Sequence, residues 1–210
     1  MLAKVASCAV AGLEGAMVEV EVDISPGLPS FTIVGLPDKA VQEARERVRS
    51  AIRNSDYKFP SKRITVNLAP ADLKKEGPAY DLSIAIGILI SSGQLNADLS
   101  DSVFLGELSL DGRLRHTHGT LPMVALAKDK GLTTMFVPLD DAKEASLVDG
   151  LHIFPAESLA QLVVHLQGET RIPEYPRQIN WQQEIHKDYS FDLSYIKGQE
   201  HAKRALEIAA

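Results

Sequence analysis

Residues 81–92 read DLSIAIGILISS and are almost continuously apolar. A helix that is apolar on all sides must be buried over most of its surface. Each fully buried Leu or Ile contributes roughly 1.5–3 kcal/mol, so we expect this helix to dominate the stability of a globular core. No run of eighteen apolar residues occurs anywhere in the chain, which excludes a transmembrane helix.

Upstream of this segment, alternating apolar and polar residues predict three strands, at 4–13, 17–24 and 30–34. Because only short turns separate them, we expect an antiparallel meander. A helix is predicted from an Asp38 N-cap to about residue 54. It is followed by a strand at 63–68 and a loop rich in Pro, Asp, Lys and Gly.

Downstream of the segment, strands and helices alternate. Strands at 103–110 and 113–116 flank Asp111-Gly112, a dipeptide typical of a tight β-hairpin. Helices are then predicted at 119–130, 140–147 and 156–166, with strands at 134–137 and 151–154 between them. This order favours partly parallel pairing and a mixed α/β fold of the α+β class, with antiparallel strands at the N-terminus.

Composition changes at Gly168, where periodicity fades and Pro and Gln become frequent. We therefore expect one domain over residues 1–167 and a linker over 168–190. Residues 191–210 begin a new helical pattern that ends with the chain, as expected for the start of a truncated second module.

The composition also argues against several functions. With 22 Lys and Arg against 28 Asp and Glu, the formal charge of -6 argues against binding nucleic acid over the whole surface. The single Cys8 indicates a reducing compartment, and hence the cytoplasm. Neither the phosphate-binding Walker A loop nor the dinucleotide fingerprint is present, so we expect no cofactor in this part of the protein.

One region differs in charge, since residues 38–75 carry ten basic and five acidic side chains. Clustered cations can neutralise phosphates and give salt-dependent binding of nucleic acid. A solvated helix face, with Glu46 pairing to Arg49 or Arg53, is the plainer interpretation. The candidate DNA-binding residues are Arg45, Arg49, Arg53, Lys58, Lys62, Arg63, Lys74 and Lys75.

Two further pairs of residues are candidates for metal binding or catalysis. His116 and His118 lie on one face of an extended segment and could bind a metal ion, but no further ligand is near in sequence. We therefore expect solvated residues and no metal site. Glu76 and Asp81 flank a Gly-Pro turn, a placement that suggests acid and base roles, although capping of the helix by Asp81 is the simpler interpretation.

Several motifs resemble the YifB/ComM family of magnesium-chelatase-like AAA+ ATPases. They are FTIVGLPD at 31–38, EARERVRSA at 43–51, NLAPAD at 67–72, KEGPAYDL at 75–82, GEL at 106–108, DGRLR at 111–115 and IKGQE at 196–200. The resemblance covers essentially the whole chain. It implies a fold similar to the Lon protease catalytic domain and to ribosomal S5 domain 2.

In Lon the nucleophilic serine lies in Gly-Pro-Ser-Ala-Gly and a downstream lysine activates it. By this resemblance, Ala79 stands at the nucleophile position and Leu121, within one residue of alignment, at the base position. A methyl group cannot attack a carbonyl and an isobutyl group cannot accept a proton, so we expect no peptidase activity. Ser83 as an alternative nucleophile is disfavoured, because it lies inside the apolar helix.

Members of the family resemble hexameric, ATP-driven DNA helicases that promote branch migration while incoming DNA is integrated in natural transformation. The resemblance implies that ATP and Mg²⁺ belong to a motor following residue 210. The partners would be single-stranded or branched DNA and further copies of the chain, without a membrane. This domain would contribute DNA binding, ring assembly or both. The alternative is a protein-interaction or oligomerisation module with no DNA contact of its own.

Overall fold

The computed structural model describes residues 2–12, 14–177 and 192–209. The strands are β1 (Leu2–Ala11), β2 (Glu14–Ser25), β3 (Ser30–Val34), β4 (Arg63–Ala69), β5 (Ser102–Phe104), β6 (Glu107–Leu108), β7 (Leu114–Arg115), β8 (Thr134–Pro138) and β9 (His152–Ala156). The helices are α1 (Lys39–Asn54), α2 (Asp81–Ser91), α3 (Thr120–Asp129), α4 (Ala142–Ala145), α5 (Leu159–Leu166) and α6 (Glu200–Ala209).

Seven strands form one mixed sheet in the order β3-β4-β2-β1-β5-β8-β9. The strands β1 and β2 make a long antiparallel hairpin, and β2 also pairs antiparallel with β4. The neighbours β1–β5, β5–β8 and β8–β9 are all parallel, as is β3–β4. The predicted mixed α/β class, with antiparallel strands first, is therefore confirmed.

The predicted meander of the first three strands is wrong for β3. This strand pairs with β4, and β4 lies between β2 and β3. The reason is the connection: α1 lies between β3 and β4 in the chain, and a parallel pair needs such a crossover. Sequence adjacency suggests a hairpin of β2 and β3. Instead, α1 carries the chain back so that β4 runs parallel to β3.

The predicted strand 103–110 is divided in two. The first part, β5, belongs to the main sheet, whereas β6 pairs with β7 in a separate two-stranded sheet. Leu105 and Gly106 separate the two strands, and Gly106 has a φ of 158°. The predicted hairpin is present, but Gly112, with a φ of 86°, follows the two central turn residues and donates its N–H to the Ser109 carbonyl at 3.0 Å.

Helix α2 is buried on all sides, as its composition predicts. Every residue from Asp81 to Leu89 is buried, and the helix contacts β1, β2 and α1. Gly87 allows the closest approach, since a Cβ there would lie 2.6 Å from Cγ2 of Val22. One core cluster contains α1, α2 and α5, and a second contains α3 and α4. Alternate residues of β1 contribute to the two clusters, so helices cover both faces of the sheet.

Helix α1 begins where the sequence predicts. The Asp38 carboxylate accepts from the backbone N–H of Val41 at 2.7 Å and from that of Gly77 at 3.2 Å. These bonds satisfy a free N–H of the first helical turn and tie the helix start to the following loop. The buried face of α1 consists of Val41, Ala44, Val48, Ala51 and Ile52.

The chain divides into two compact units, residues 1–178 and 179–210. The first ends ten residues beyond the predicted start of the linker at 168, because part of that segment packs on the fold. Ile172 is buried, and the Tyr175 N–H donates to the Ile153 carbonyl at 2.8 Å on β9. Residues 178–190 of the predicted linker lie outside the described residues. In the second unit, α6 confirms the predicted helical pattern.

Across the described ranges, no helix has the length and apolarity needed to span a membrane.

Candidate functional site

The residue expected at the protease nucleophile position, Ala79, carries no reactive group. Ala79 is half-buried, and its carbonyl accepts from the Gly106 N–H at 3.1 Å. The neighbouring hydroxyl of Ser83 is buried and donates to the Tyr80 carbonyl at 2.9 Å. This is the local back-bond that the sequence predicts for Ser83. No attacking oxygen is therefore presented at residues 79 or 83.

The residue expected at the protease base position, Leu121, likewise carries no reactive group. Leu121 is partly exposed, and its backbone N–H donates to Oε1 of Glu144 at 2.8 Å. A shift of the alignment by one residue gives Thr120 or Pro122, and neither carries an amine. The Thr120 hydroxyl donates to the Thr117 carbonyl at 3.1 Å. These positions offer no proton acceptor of the lysine type.

Lys75 is enclosed by the protein. Its side chain is fully buried and its ammonium group donates to the Pro70 carbonyl. Burial lowers the pKa of this amine. Its backbone N–H and carbonyl bond to Leu36 and Asp38, which anchors the loop beside the start of α1. The sequence places Lys75 among the candidate DNA-binding residues, but its buried side chain is inaccessible to a phosphate, and we remove it from that group.

Asp81 is the second residue that the structure places differently. The interpretation of Asp81 as a helix cap is wrong, because the N-cap is Tyr80 and no side chain caps α2. The fully buried Asp81 carboxylate instead pairs with Arg47 at 2.6 Å and accepts from the Leu108 N–H at 3.2 Å. Burial raises the pKa of Asp81 to about 6, although Arg47 opposes this shift.

Sequence reasoning missed Arg47 as the partner of Asp81. The available signal was helical spacing, since Arg47 lies three residues after Ala44 and four before Ala51, both buried. A charged residue in an apolar stripe needs a partner inside the fold. Glu76, the other predicted acidic residue, is exposed and pairs with Lys74 at 2.6 Å. Glu76 and Asp81 therefore have separate structural partners.

The remaining basic candidates lie on the outside of α1 and on the chain that follows it. We call six exposed or half-exposed residues the basic face: Arg45, Arg49, Arg53, Lys58, Lys62 and Arg63. Three come from α1 at intervals of four and so share its outer surface. Lys58 and Lys62 lie between α1 and β4, and Arg63 begins β4. Lys74 lies in a different loop, where Glu76 compensates its charge.

Most of the basic face is not neutralised. Within the described part of the chain, Arg49 is its single member with a carboxylate inside 4.0 Å, at 3.3 Å from Glu46. Both residues are exposed enough for solvent to weaken this pair. The Arg49 and Arg53 guanidinium groups also lie 5.4 and 6.0 Å from the centroid of the Phe59 ring. This contact holds the two cations near each other at the surface.

The two histidines after β7 are both exposed and face each other. Nε2 of His116 lies 3.3 Å from Nδ1 of His118. Nδ1 of His116 bonds to the buried carboxylate of Asp141. Among the residues that the structure describes, no group of three or more His, Cys, Asp or Glu side chains is arranged to hold a metal ion.

Comparison with known proteins gives the chain its family. The sequence profile described as subunit ChlI of Mg-chelatase matches residues 20–141. Competence protein ComM of Haemophilus influenzae is 46% identical over 214 residues, covering 100% of this chain and 41% of that protein. The Escherichia coli protein YifB is 43% identical over 200 residues, covering 95% of this chain and 38% of YifB.

The Lon protease of Mycolicibacterium smegmatis is 25% identical over 167 residues, covering 74% of this chain and 21% of that protein. This similarity agrees with the mixed sheet and with a Lon-like fold. The chain thus spans less than half the length of ComM and YifB. Because the matching profile covers more than half of its residues, the chain belongs to the magnesium-chelatase ChlI family and is related to ComM and YifB.

Proposed function

We propose that this chain is a non-proteolytic domain of an AAA+ DNA motor and that it contacts DNA through the basic face. The observation that carries the proposal is the exposure of Arg45, Arg53, Lys58, Lys62 and Arg63 without a carboxylate inside 4.0 Å in the described ranges. Cations that the protein leaves uncompensated are free to exchange their counterions for phosphates.

The geometry of α1 suits a nucleic-acid strand. Arg45 and Arg53 are separated by eight residues, or about 12 Å along a helix axis. Phosphates follow one another about 3.4 Å apart per strand along duplex DNA, so this length matches three to four nucleotides. The six residues are proposed to contact phosphates, which carry no sequence information. Binding is therefore expected to depend on the backbone charge and to be insensitive to sequence.

The role of the whole protein is proposed from its relatives. The name of Competence protein ComM connects that protein with competence. We propose that this chain serves a hexameric helicase that drives branch migration as incoming DNA is integrated in natural transformation, with ATP and Mg²⁺ bound by the motor. Single-stranded or branched DNA would be the partner. The free thiol of buried Cys8 fits a cytoplasmic location.

A second candidate function is subunit assembly without DNA contact. The strand β3 ends the sheet, so its outer edge has backbone groups available for pairing. Leu28, Val34 and Leu36 beside it are all exposed. Self-association measured by sedimentation, together with no DNA affinity, would favour this candidate over the first.

The proposal is tested by fluorescence anisotropy with labelled single-stranded and branched DNA over a series of salt concentrations. The test variant is Arg45→Glu/Arg53→Glu, which leaves the Arg49 contact with Phe59 in place. If each arginine contacts one phosphate of a single strand, the slope of log affinity against log salt should fall by about 1.4. Affinity at low salt should fall as well.

The matched control is Lys128→Glu/Lys130→Glu, which changes the net charge equally on exposed residues at the end of α3. The control should bind DNA nearly as well as the unmodified chain. Equal binding by both variants would reject the basic face as the contact surface. Equal weakening of both variants would show that net charge alone controls the affinity.

A further inference from the structure

The segment between β7 and α3 presents two imidazole rings, each with one nitrogen close to a nitrogen of the other. Nε2 of His116 and Nδ1 of His118 are 3.3 Å apart. The rings are perpendicular, and their centroids are separated by 4.8 Å. Both side chains are exposed, so an ion or small ligand from solvent can reach both nitrogens.

The buried carboxylate of Asp141 fixes the orientation of the His116 ring. Nδ1 of His116 bonds to Oδ1 of Asp141, whose other oxygen accepts from the Thr117 N–H at 2.9 Å and from its hydroxyl at 2.8 Å. With the Asp141 carboxylate as the acceptor, we assign the hydrogen of this contact to Nδ1. The lone pair of a neutral His116 ring therefore lies on Nε2, the atom that faces His118.

This arrangement is the one found around metal-binding histidines. They almost always donate their second ring N–H to a carboxylate, a carbonyl or water, which fixes the tautomer and the ring direction. The separation of the nitrogens also fits. Two nitrogens bound at about 2.0–2.1 Å in a tetrahedral site lie about 3.4 Å apart.

We infer that His116 and His118 bind one divalent transition-metal ion of the zinc, nickel or copper type, for which imidazole is a suitable ligand. In the described ranges no third side chain joins them. Water or another exchangeable ligand therefore completes the coordination, and the ion binds reversibly. Asp141 is a positioning residue that acts through His116.

The test is calorimetric titration of the chain with Zn²⁺ alone, comparing the unmodified protein with His118→Gln. The control is His152→Gln, since His152 is also exposed and its Nδ1 lies 3.0 Å from Glu174 in another part of the fold. We expect one ion per chain, at least about tenfold weaker binding in His118→Gln, and unchanged binding in His152→Gln. Both variants alter exposed side chains, so they should remain folded.

A nitrogen-15 NMR spectrum of the imidazoles gives an independent readout. Zn²⁺ should shift Nε2 of His116 and Nδ1 of His118 and leave the other histidines unchanged. Asp141→Asn should weaken the affinity about 10–100-fold. Equal Zn²⁺ affinity in His118→Gln and the unmodified chain, no binding up to millimolar Zn²⁺, or shifts centred on another histidine would overturn the inference and leave a simple hydrogen bond between the two rings.

Discussion

Arg47 and Asp81 form a bidentate ion pair, in which Nε of Arg47 lies 2.6 Å from Oδ2 of Asp81 and Nη2 lies 3.1 Å from Oδ1. The pair joins the middle of α1 to the first residue of α2, and the Leu108 N–H adds a third bond from the small hairpin. Three elements that are distant in sequence therefore meet at one buried carboxylate. The outer surface of α1, with its basic face, is positioned from the inside by this contact.

Removing the guanidinium should make stability depend strongly on pH. Arg47→Met leaves a buried Asp81 without its cation, so the pKa of Asp81 should rise further above about 6. A carboxyl group whose pKa is raised in the native state stabilises the fold at pH values below its pKa in the unfolded state. This stabilisation is lost as the pH rises through the native pKa. We expect a loss of roughly 3–5 kcal/mol at pH 8 and a smaller loss at pH 5.

Urea unfolding at both pH values measures this difference, with Arg49→Met on the exposed side of the same helix as the control. The control should change stability little and equally at pH 5 and 8. An equal loss at both pH values in Arg47→Met would show that packing, and not the ionisation of Asp81, governs the effect.

Gly35 should not tolerate a side chain. Its φ is 98°, and a Cβ there would overlap the carbonyl of Leu68 on the neighbouring strand β4. We expect Gly35→Ala to destabilise by more than about 2 kcal/mol, because backbone strain and overlap add. Gly131→Ala is the control, since Gly131 has a φ of 76° but open space around it. Chemical denaturation that finds equal losses in the two variants would contradict the overlap.

The apolar helix should carry much of the stability. Ile86 is fully buried in α2, whereas Leu28 is 84% exposed in a turn. Ile86→Ala should cost about 2–5 kcal/mol, because it removes buried area and leaves a cavity. Leu28→Ala should cost less than about 0.5 kcal/mol. Thermal and urea unfolding of both variants measure this contrast, and similar losses would place the stabilising core elsewhere.

Neither the chain nor its Ala79→Ser variant should hydrolyse peptides. A serine at position 79 restores a hydroxyl but no base, and the amine of Lys75 is buried and bonded to the Pro70 carbonyl. A fluorogenic peptide assay with an active Lon protease as the positive control provides the measurement. Cleavage by the unmodified chain that persists through purification would reject the non-proteolytic assignment.

The local elements were largely readable from the sequence. The Asp38 cap, the buried α2 and the succession of strands and helices follow from short-range patterns, because turn chemistry and side-chain periodicity act over a few residues. The resemblance to Lon assigns positions 79 and 121 to the nucleophile and the base, and the sequence itself shows that Ala79 has no hydroxyl and Leu121 no amine.

The tertiary structure decided three further features. They are the pairing of β3 with β4, the burial of Lys75 and the ion pair between Arg47 and Asp81. Each depends on which distant segments come together. The same holds for the two imidazole rings, because only the fold brings the buried Asp141 behind His116. Residue types and local periodicity determine the elements and their chemistry, whereas burial and long-range contact determine which charges remain at the surface and which are paired inside.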